Sequence, residues 1–228
     1  MRLTATDNAG ASAWDDVTVT VTNVNDPPTI DLPASFSFAE DTQLVEDFAA
    51  YITDIDPGDT LTLTAAGNTS IVVSITGLVV TFSAPADWNG SETITFTVDD
   101  NATRATATDS TVVSVTYVND APYVANPIAD QFIPEDTPFS FPVPLGTFDD
   151  ADLIYGDALT YTAALADGNP LPAWISFDGA TFTGEAGNDD IGVYLMRLTA
   201  TDNAGASAWD DVTVTVTNVN DAPTIDLP

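Results

Sequence analysis

The chain has 228 residues, of which 35 are acidic and three basic, giving a formal net charge of −32. A surface this negative repels phosphate backbones and anionic headgroups, which excludes nucleic-acid and membrane-surface binding and leaves cations as the favoured partners. Lys, His and Cys are absent, so disulfides and the usual general bases and nucleophiles are excluded as well, and the chain is not expected to be an enzyme.

Met1 to Pro33 returns as Met196 to Pro228 with Ala222 in place of Pro27, an offset of 195 residues. Near-identity at a fixed offset marks tandem repetition. It predicts that the chain is one window of a longer array whose units serve length, spacing or multiplicity. Within the first copy, Val17 to Thr22 alternates Val and Thr strictly, which predicts a strand with one buried and one wet face. Val24-Asn25-Asp26 follows, with Pro27 next; proline stops ladder pairing and stiffens the exit, as suits a connector. Leu44 to Tyr51 is a short helix-like stretch. Thr93 to Val98 alternates again, and Thr76-Gly77 and Asn89-Gly90 mark turns.

The connector recurs at Val118-Asn119-Asp120 and at Val219-Asn220-Asp221, each with a proline within two residues. Between these two, Asp167-Gly168 and Asp178-Gly179 read as turns, and Val212 to Thr217 repeats the first alternating strand. No stretch approaches the roughly 18 apolar residues a membrane span needs. Asp outnumbers Glu by 30 to five, a bias toward turns, caps and oxygen-rich metal loops rather than helices. The fold class is all-β. Connector spacings of 94 and 101 residues each fit one immunoglobulin-like sandwich. The expected division is residues 1–26 as the last two strands of a truncated type B domain, 27–121 as a type A sandwich, 122–222 as a type B sandwich, and 223–228 as the start of the next type A domain.

The acids keep the same order after each connector. Glu40-Asp41, then Asp54, Asp56 and Asp59, then Asp99-Asp100-Asn101 follow the first. Glu135-Asp136, then Asp149, Asp150, Asp152 and Asp157, then Asp202-Asn203-Ala204-Gly205 follow the second. This layout resembles the calcium-site order of cadherin repeats. Leu171 to Gly179 with Phe182-Thr183-Gly184 is similar to the dystroglycan-type cadherin-like domain, and Pro85 to Gly90 is similar to the cadherin-like repeats of large bacterial surface adhesins. The resemblance implies tandem Greek-key immunoglobulin-like or cadherin-like sandwiches in an elongated extracellular array, stiffened by Ca²⁺ at the joints between neighbouring repeats. It implies one ligand set from Glu40, Asp41, Asn119, Asp120, Asp150, Asp152 and Asp202. A second comes from Asn25, Asp26, Asp54, Asp56 and Asp99, and a third from Glu135, Asp136, Asn220 and Asp221.

Physics gives the same expectation. Two carboxylates about 4 Å apart repel by roughly 1–4 kcal/mol at effective dielectrics of about 80 to 20, and Ca²⁺ accepts about six to eight carboxylate, amide and backbone oxygens. Taken singly, each Asp reads as a turn former ahead of a metal ligand; the matched order, appearing twice around a repeated connector, favours metal. Asp15-Asp16, Asp189-Asp190 and Asp210-Asp211 fall outside the layout and are expected as solvated charge. Trp174, between Ala173 and Ile175, is expected in the core; Trp14 and its copy Trp209 are expected partly exposed at a strand start. Two other roles stay open: polysaccharide binding through such exposed aromatics with avidity from multiplicity, and calcium-dependent adhesion between identical arrays.

Overall fold

The computed structural model describes residues 1–56, 58–101, 105–223 and 225, and the chain divides at the second connector into two units, Met1–Tyr117 and Val118–Pro228. Among the described residues, unit 1 contains β1 (Arg2–Thr6), β2 (Ser12–Asp16), β3 (Thr29–Ile30), β4 (Ser35–Ala39), β5 (Gln43–Asp47), β6 (Ile52–Thr53), β7 (Thr62–Ala66), β8 (Val72–Thr76), β9 (Val79–Ser83), β10 (Gly90–Asp99) and β11 (Thr106–Thr116). Unit 2 contains β12 (Tyr123–Val124), β13 (Gln131–Pro134), β14 (Phe139–Pro142), β15 (Phe148–Asp149), β16 (Thr160–Leu165), β17 (Ile175–Phe177), β18 (Thr181–Gly184), β19 (Gly192–Thr201) and β20 (Ser207–Thr217).

Both units build one sandwich pattern. The larger sheet runs β4-β11-β10-β7 in unit 1 and β13-β20-β19-β16 in unit 2; the smaller runs β5-β9-β8 and β14-β18-β17. In each larger sheet the first strand pairs parallel with the last, β4 with β11 and β13 with β20, while the other pairs are antiparallel. The alternating sequence explains the layers. In β10, Ile94, Phe96 and Val98 are fully buried, with Thr93, Thr95 and Thr97 on the opposite face; β19 places Met196, Leu198 and Ala200 inward in the same way.

Aromatic residues fill the cores. Phe48 lies 4.7 Å from Phe96 between ring centroids and also faces Phe36, Phe82 and Tyr51. Unit 2 stacks Phe141 on Phe182 at 4.8 Å and sets Trp174 edge-on to Phe139 and Tyr194. Burying each such ring contributes about 1.5–3 kcal/mol. Trp88 packs beside the unit 1 core and explains Gly90: a Cβ there would lie 2.8 Å from the Trp88 ring.

Two local expectations change. Leu44 to Tyr51 is not a helix: its first half belongs to β5, paired with β9, and the rest is a 3₁₀ turn over Phe48–Ala50 capped by the Asp47 carboxylate on the Ala49 N–H. Pairing with β9 and full burial of Phe48 outweigh a weak helical preference. Val17 to Thr22 lies outside any strand, although the identical Val212 to Thr217 completes β20. The later copy is flanked by β13 and β19; ladder neighbours, rather than the alternating sequence, decide strand length there.

Candidate metal centre

Each unit gathers its acids where its connector enters, and the two gatherings share one hydrogen-bond frame. In unit 2 the Asn119 side-chain amide donates to Asp202 Oδ2 at 2.9 Å and to the Asp120 carbonyl at 2.7 Å. The Asp120 N–H donates to Asp152 Oδ2 at 2.7 Å, and the Asp152 N–H donates to Asp150 Oδ1 at 2.9 Å. In unit 1 Asn25 donates to Asp100 Oδ2 at 2.7 Å, the Asp26 N–H to Asp56 Oδ2 at 2.6 Å, and the Asp56 N–H to Asp54 Oδ1 at 2.9 Å. Asn23 adds a further 2.8 Å bond to Asp56 Oδ1. Asn119, Asp120, Asp150, Asp152 and Asp202 therefore converge, and so do Asn25, Asp26, Asp54 and Asp56.

Strand parity supplies the last candidate ligand of each set. The inward series Met196, Leu198, Ala200 continues to Asp202, and the inward series Ile94, Phe96, Val98 continues to Asp100. Asp100, 1% exposed, rather than the expected Asp99, thus joins the unit 1 cluster. Asp99 instead accepts the Asn101 N–H at 2.7 Å. Extending the alternation by one step would have picked the inward acid. Asp59 and Asp157 complete the clusters from loops, where no periodicity points to them. One carboxylate oxygen from each of Asp150, Asp157 and Asp202 lies within 4.8 Å of the others, and the same holds for Asp54, Asp56 and Asp59.

The charges are costly as they stand. Asp150, Asp152 and Asp202 are 4%, 1% and 6% exposed. Among the described residues, Oδ2 of Asp54, Asp59, Asp150 and Asp157 are buried with no hydrogen-bond partner. Such orphaned acceptors lose hydration without recompense. Burial, and then the neighbouring Asp152, Asp157 and Asp202 charges, raise the Asp150 carboxyl above its usual range, though the Asp152 N–H opposes this. Burial together with Asp54, Asp56 and Asp100 raises Asp59. Asp202 shifts the other way, held down by the Asn119 amide despite burial, with help from the Ala206, Gly205 and Ala204 N–H groups. Carboxylates that are buried, mutually repelling and partly unsatisfied fit a hard divalent cation, and the connector offers amide and backbone oxygens beside them.

The remaining expected ligands sit at the ends of the first strands. Glu40 is 2% exposed, receives the Asn89 side-chain amide at 3.4 Å, and its N–H donates to the Thr116 carbonyl. Asp41 follows with φ of 60° and accepts the Asp87 N–H at 3.1 Å. Glu135 is fully buried; its Oε1 accepts from the Asn218 amide and the Val219 N–H, while Oε2 is without a hydrogen-bond partner among the described residues. Asp136 follows with φ of 55°, a left-handed conformation that Asp tolerates better than most residues. Asn220 donates to the Asp221 carbonyl at 3.3 Å, and both residues are exposed. Trp209 is 55% exposed, and the Arg197 guanidinium sits 5.0 Å from its ring centroid, fixed by two bonds to Asp211. Asp211, expected as solvated charge, is thereby an ion-pair partner, and one ring face of Trp209 is engaged.

In comparisons with known proteins, residues 25–116 match the family described as "Bacterial Ig domain", and residues 121–217 match the family described as "Putative Ig domain". Two successive stretches of the chain thus each match an Ig-domain family, in agreement with the cadherin-like resemblance. Among solved structures it is similar to Protocadherin Gamma B2 extracellular cadherin domains 3–6 (18% identity, TM-score 0.53, covering 95% of this chain and 56% of that one). It is also similar to the Protocadherin gammaB7 EC3–6 cis-dimer (19% identity, TM-score 0.52, 95% and 57%). Human Desmocollin-1 ectodomain follows with 15% identity and a TM-score of 0.47, covering 96% and 46%. The chain spans about a third to somewhat over half of the solved chains it matches. No curated protein matches the sequence. The two protocadherin likenesses establish the sandwich fold.

Proposed function

We propose that this chain is a calcium-binding spacer segment of an extracellular surface or matrix protein, with a structural rather than a catalytic role. The observation that carries this reading is Asp150: 4% exposed, with Oδ2 lacking any hydrogen-bond partner among the described residues and a carboxylate oxygen within 4.8 Å of Asp157 and Asp202. Asp150, Asp152, Asp157 and Asp202 would hold an ion in unit 2, with Asn119 and Asp120 alongside. Asp54, Asp56, Asp59 and Asp100 would do so in unit 1, with Asn25 and Asp26. The ion would supply positive charge that offsets the repulsion and ties the connector to the domain it enters.

A row of such domains makes a stalk that stiffens where calcium is at about 10⁻⁴ to 10⁻³ M, the range of extracellular modules, and slackens where it is scarce. The polysaccharide role loses support because Arg197 already occupies one face of Trp209. Titration calorimetry of Ca²⁺ into the chelator-stripped chain tests the proposal. Saturable binding in that range, abolished in part by Asp152→Ala and in part by Asp56→Ala, is expected. A titration without binding heat, coupled with an unshifted melt at 10-fold higher calcium, would sink it.

A further inference from the structure

The outer face of the larger sheet is built differently in the two units. The sheets match place for place through the pair Val214–Tyr194 in unit 2 and Val113–Glu92 in unit 1. From there, Phe132, Thr215 and Val193 form a row across β13, β20 and β19, and Leu195 follows opposite Thr213. The same places in unit 1 hold Ser37, Ser114 and Ser91, with Thr93 opposite Val112. Small hydroxyl side chains thus satisfy this strand geometry, and apolar groups are not needed there to make the sheet. Phe132, Val193 and Leu195 are nevertheless 73%, 71% and 49% exposed. The unit 2 sheet has all four of its strands, so no missing strand accounts for the exposure. Exposed acids stand at both edges of the patch. Asp130, just before β13, accepts the Thr213 N–H at 2.9 Å. Asp167, just after β16, lines an open depression of about 280 Å³ with Val193, Tyr194 and Leu195. In unit 1 the place of Asp130 is taken by Ser35.

We infer that this face of unit 2 is a docking surface for a partner polypeptide whose contact patch is apolar at its centre and carries Lys or Arg on either side. Contiguous exposed apolar side chains with a polar rim are the pattern of an interaction surface, whereas single ones are ordinary. Charge names the occupant. The apolar centre meets Phe132, Val193 and Leu195, and the flanking cations meet Asp130 and Asp167. A net charge of −32 without a single lysine draws a basic partner toward the face and speeds its arrival. A second copy of the chain suits the face poorly, because it would set the same acids against each other. Polysaccharide suits it poorly too, because the Phe, Val and Leu side chains offer its hydroxyls no hydrogen bonds.

The test titrates two synthetic peptides into the whole chain: one with a Leu/Val centre and Lys at both ends, the other with the same lysines around a Ser centre. The variant F132S/V193S/L195T carries what unit 1 uses at the matching places, all of them exposed, so its fold should persist; an unchanged melt checks this. The apolar-centred peptide should bind the parent chain and bind this variant about tenfold or more weaker, the scale set by one buried apolar side chain. The Ser-centred peptide should bind both weakly and alike. D130N/D167N keeps the apolar patch and should weaken the first peptide while flattening its salt dependence. The inference is overturned if the parent binds both peptides equally, or if either variant binds the apolar-centred peptide as well as the parent does. Sedimentation showing dimers of the parent that F132S/V193S/L195T abolishes would also overturn it, by giving the face to a second copy.

Discussion

The two acid clusters are built on one plan but differ in how firmly their ligands are fixed. In unit 2, Asp150 caps a 3₁₀ turn over Ala151–Tyr155 that closes on Gly156 at φ of 97°. Asp202 is pinned in a turn that returns the Ala206 N–H to its Oδ1 at 2.8 Å. In unit 1, Asp54 is only part-buried and Asn23 lends an extra donor to Asp56. Rigid, dehydrated ligands bind calcium more tightly because less ordering accompanies binding. The same geometry makes the empty site worse, since the carboxylates cannot turn away from each other. On the proposed function, stability with metal and instability without it would be two sides of one arrangement, and unit 2 should show both more strongly.

Chelation is the largest lever on that comparison. At calcium 100 times the dissociation constant, a site stabilises its domain by about 2.7 kcal/mol, and about 4–8 °C of melting temperature accompanies each kcal/mol in domains of this size. Calorimetric melts should therefore fall by roughly 10–20 °C on chelation, with the transition of unit 2 moving further than that of unit 1.

The next effect concerns pH in the chelated chain. Asp59 and Asp150 are raised in the folded state. Their contribution to stability is complete below the ordinary Asp range and is lost as pH climbs through the raised values. Chelated protein should accordingly become less stable as pH rises from about 4 toward neutrality, whereas calcium-loaded protein should hold level. Melts across that range, with and without calcium, check the crossing.

A smaller effect separates the units in acid. Opposite Val113, Glu92 is hydrogen-bonded by the Thr69 hydroxyl and by the Thr69, Ser70 and Ile71 N–H groups. Burial would raise its pKa, but these bonds lower it to about 2. The matching place in unit 2, opposite Val214, holds Tyr194, which donates to the Asp190 carbonyl. A depressed carboxylate contributes above its unfolded pKa and is lost as pH falls through the folded one. Unit 1 alone should weaken through this group between about pH 4 and 2, and Glu92→Gln should cost unit 1 about 1 kcal/mol at neutral pH.

The sandwiches were legible because Val and Thr alternate, and alternation reports which face is dry. The connectors were legible as punctuation: Asn25-Asp26 and Asn119-Asp120 stop a strand and carry the side chains that later grip the clusters. Asp100 was readable from the parity of Ile94, Phe96 and Val98, but the adjacent Asp99 obscured it. Asp59 and Asp157 stand in the matched acid order but in neither expected ligand set, because loop conformation has no period to mark them. The fate of Val17 to Thr22 was out of reach for another reason: its twin at Val212 to Thr217 shows that the same residues become core strand only beside β13 and β19.

The most direct test is the thermal melt of Asp150→Asn against the unaltered chain, each with chelator and with millimolar calcium. Neutralising Asp150 removes repulsion from the empty cluster but also removes a ligand from the filled one. The variant should therefore melt higher than the parent under chelation and lower than it in calcium. A shift in one direction under both conditions would contradict a calcium centre at this cluster.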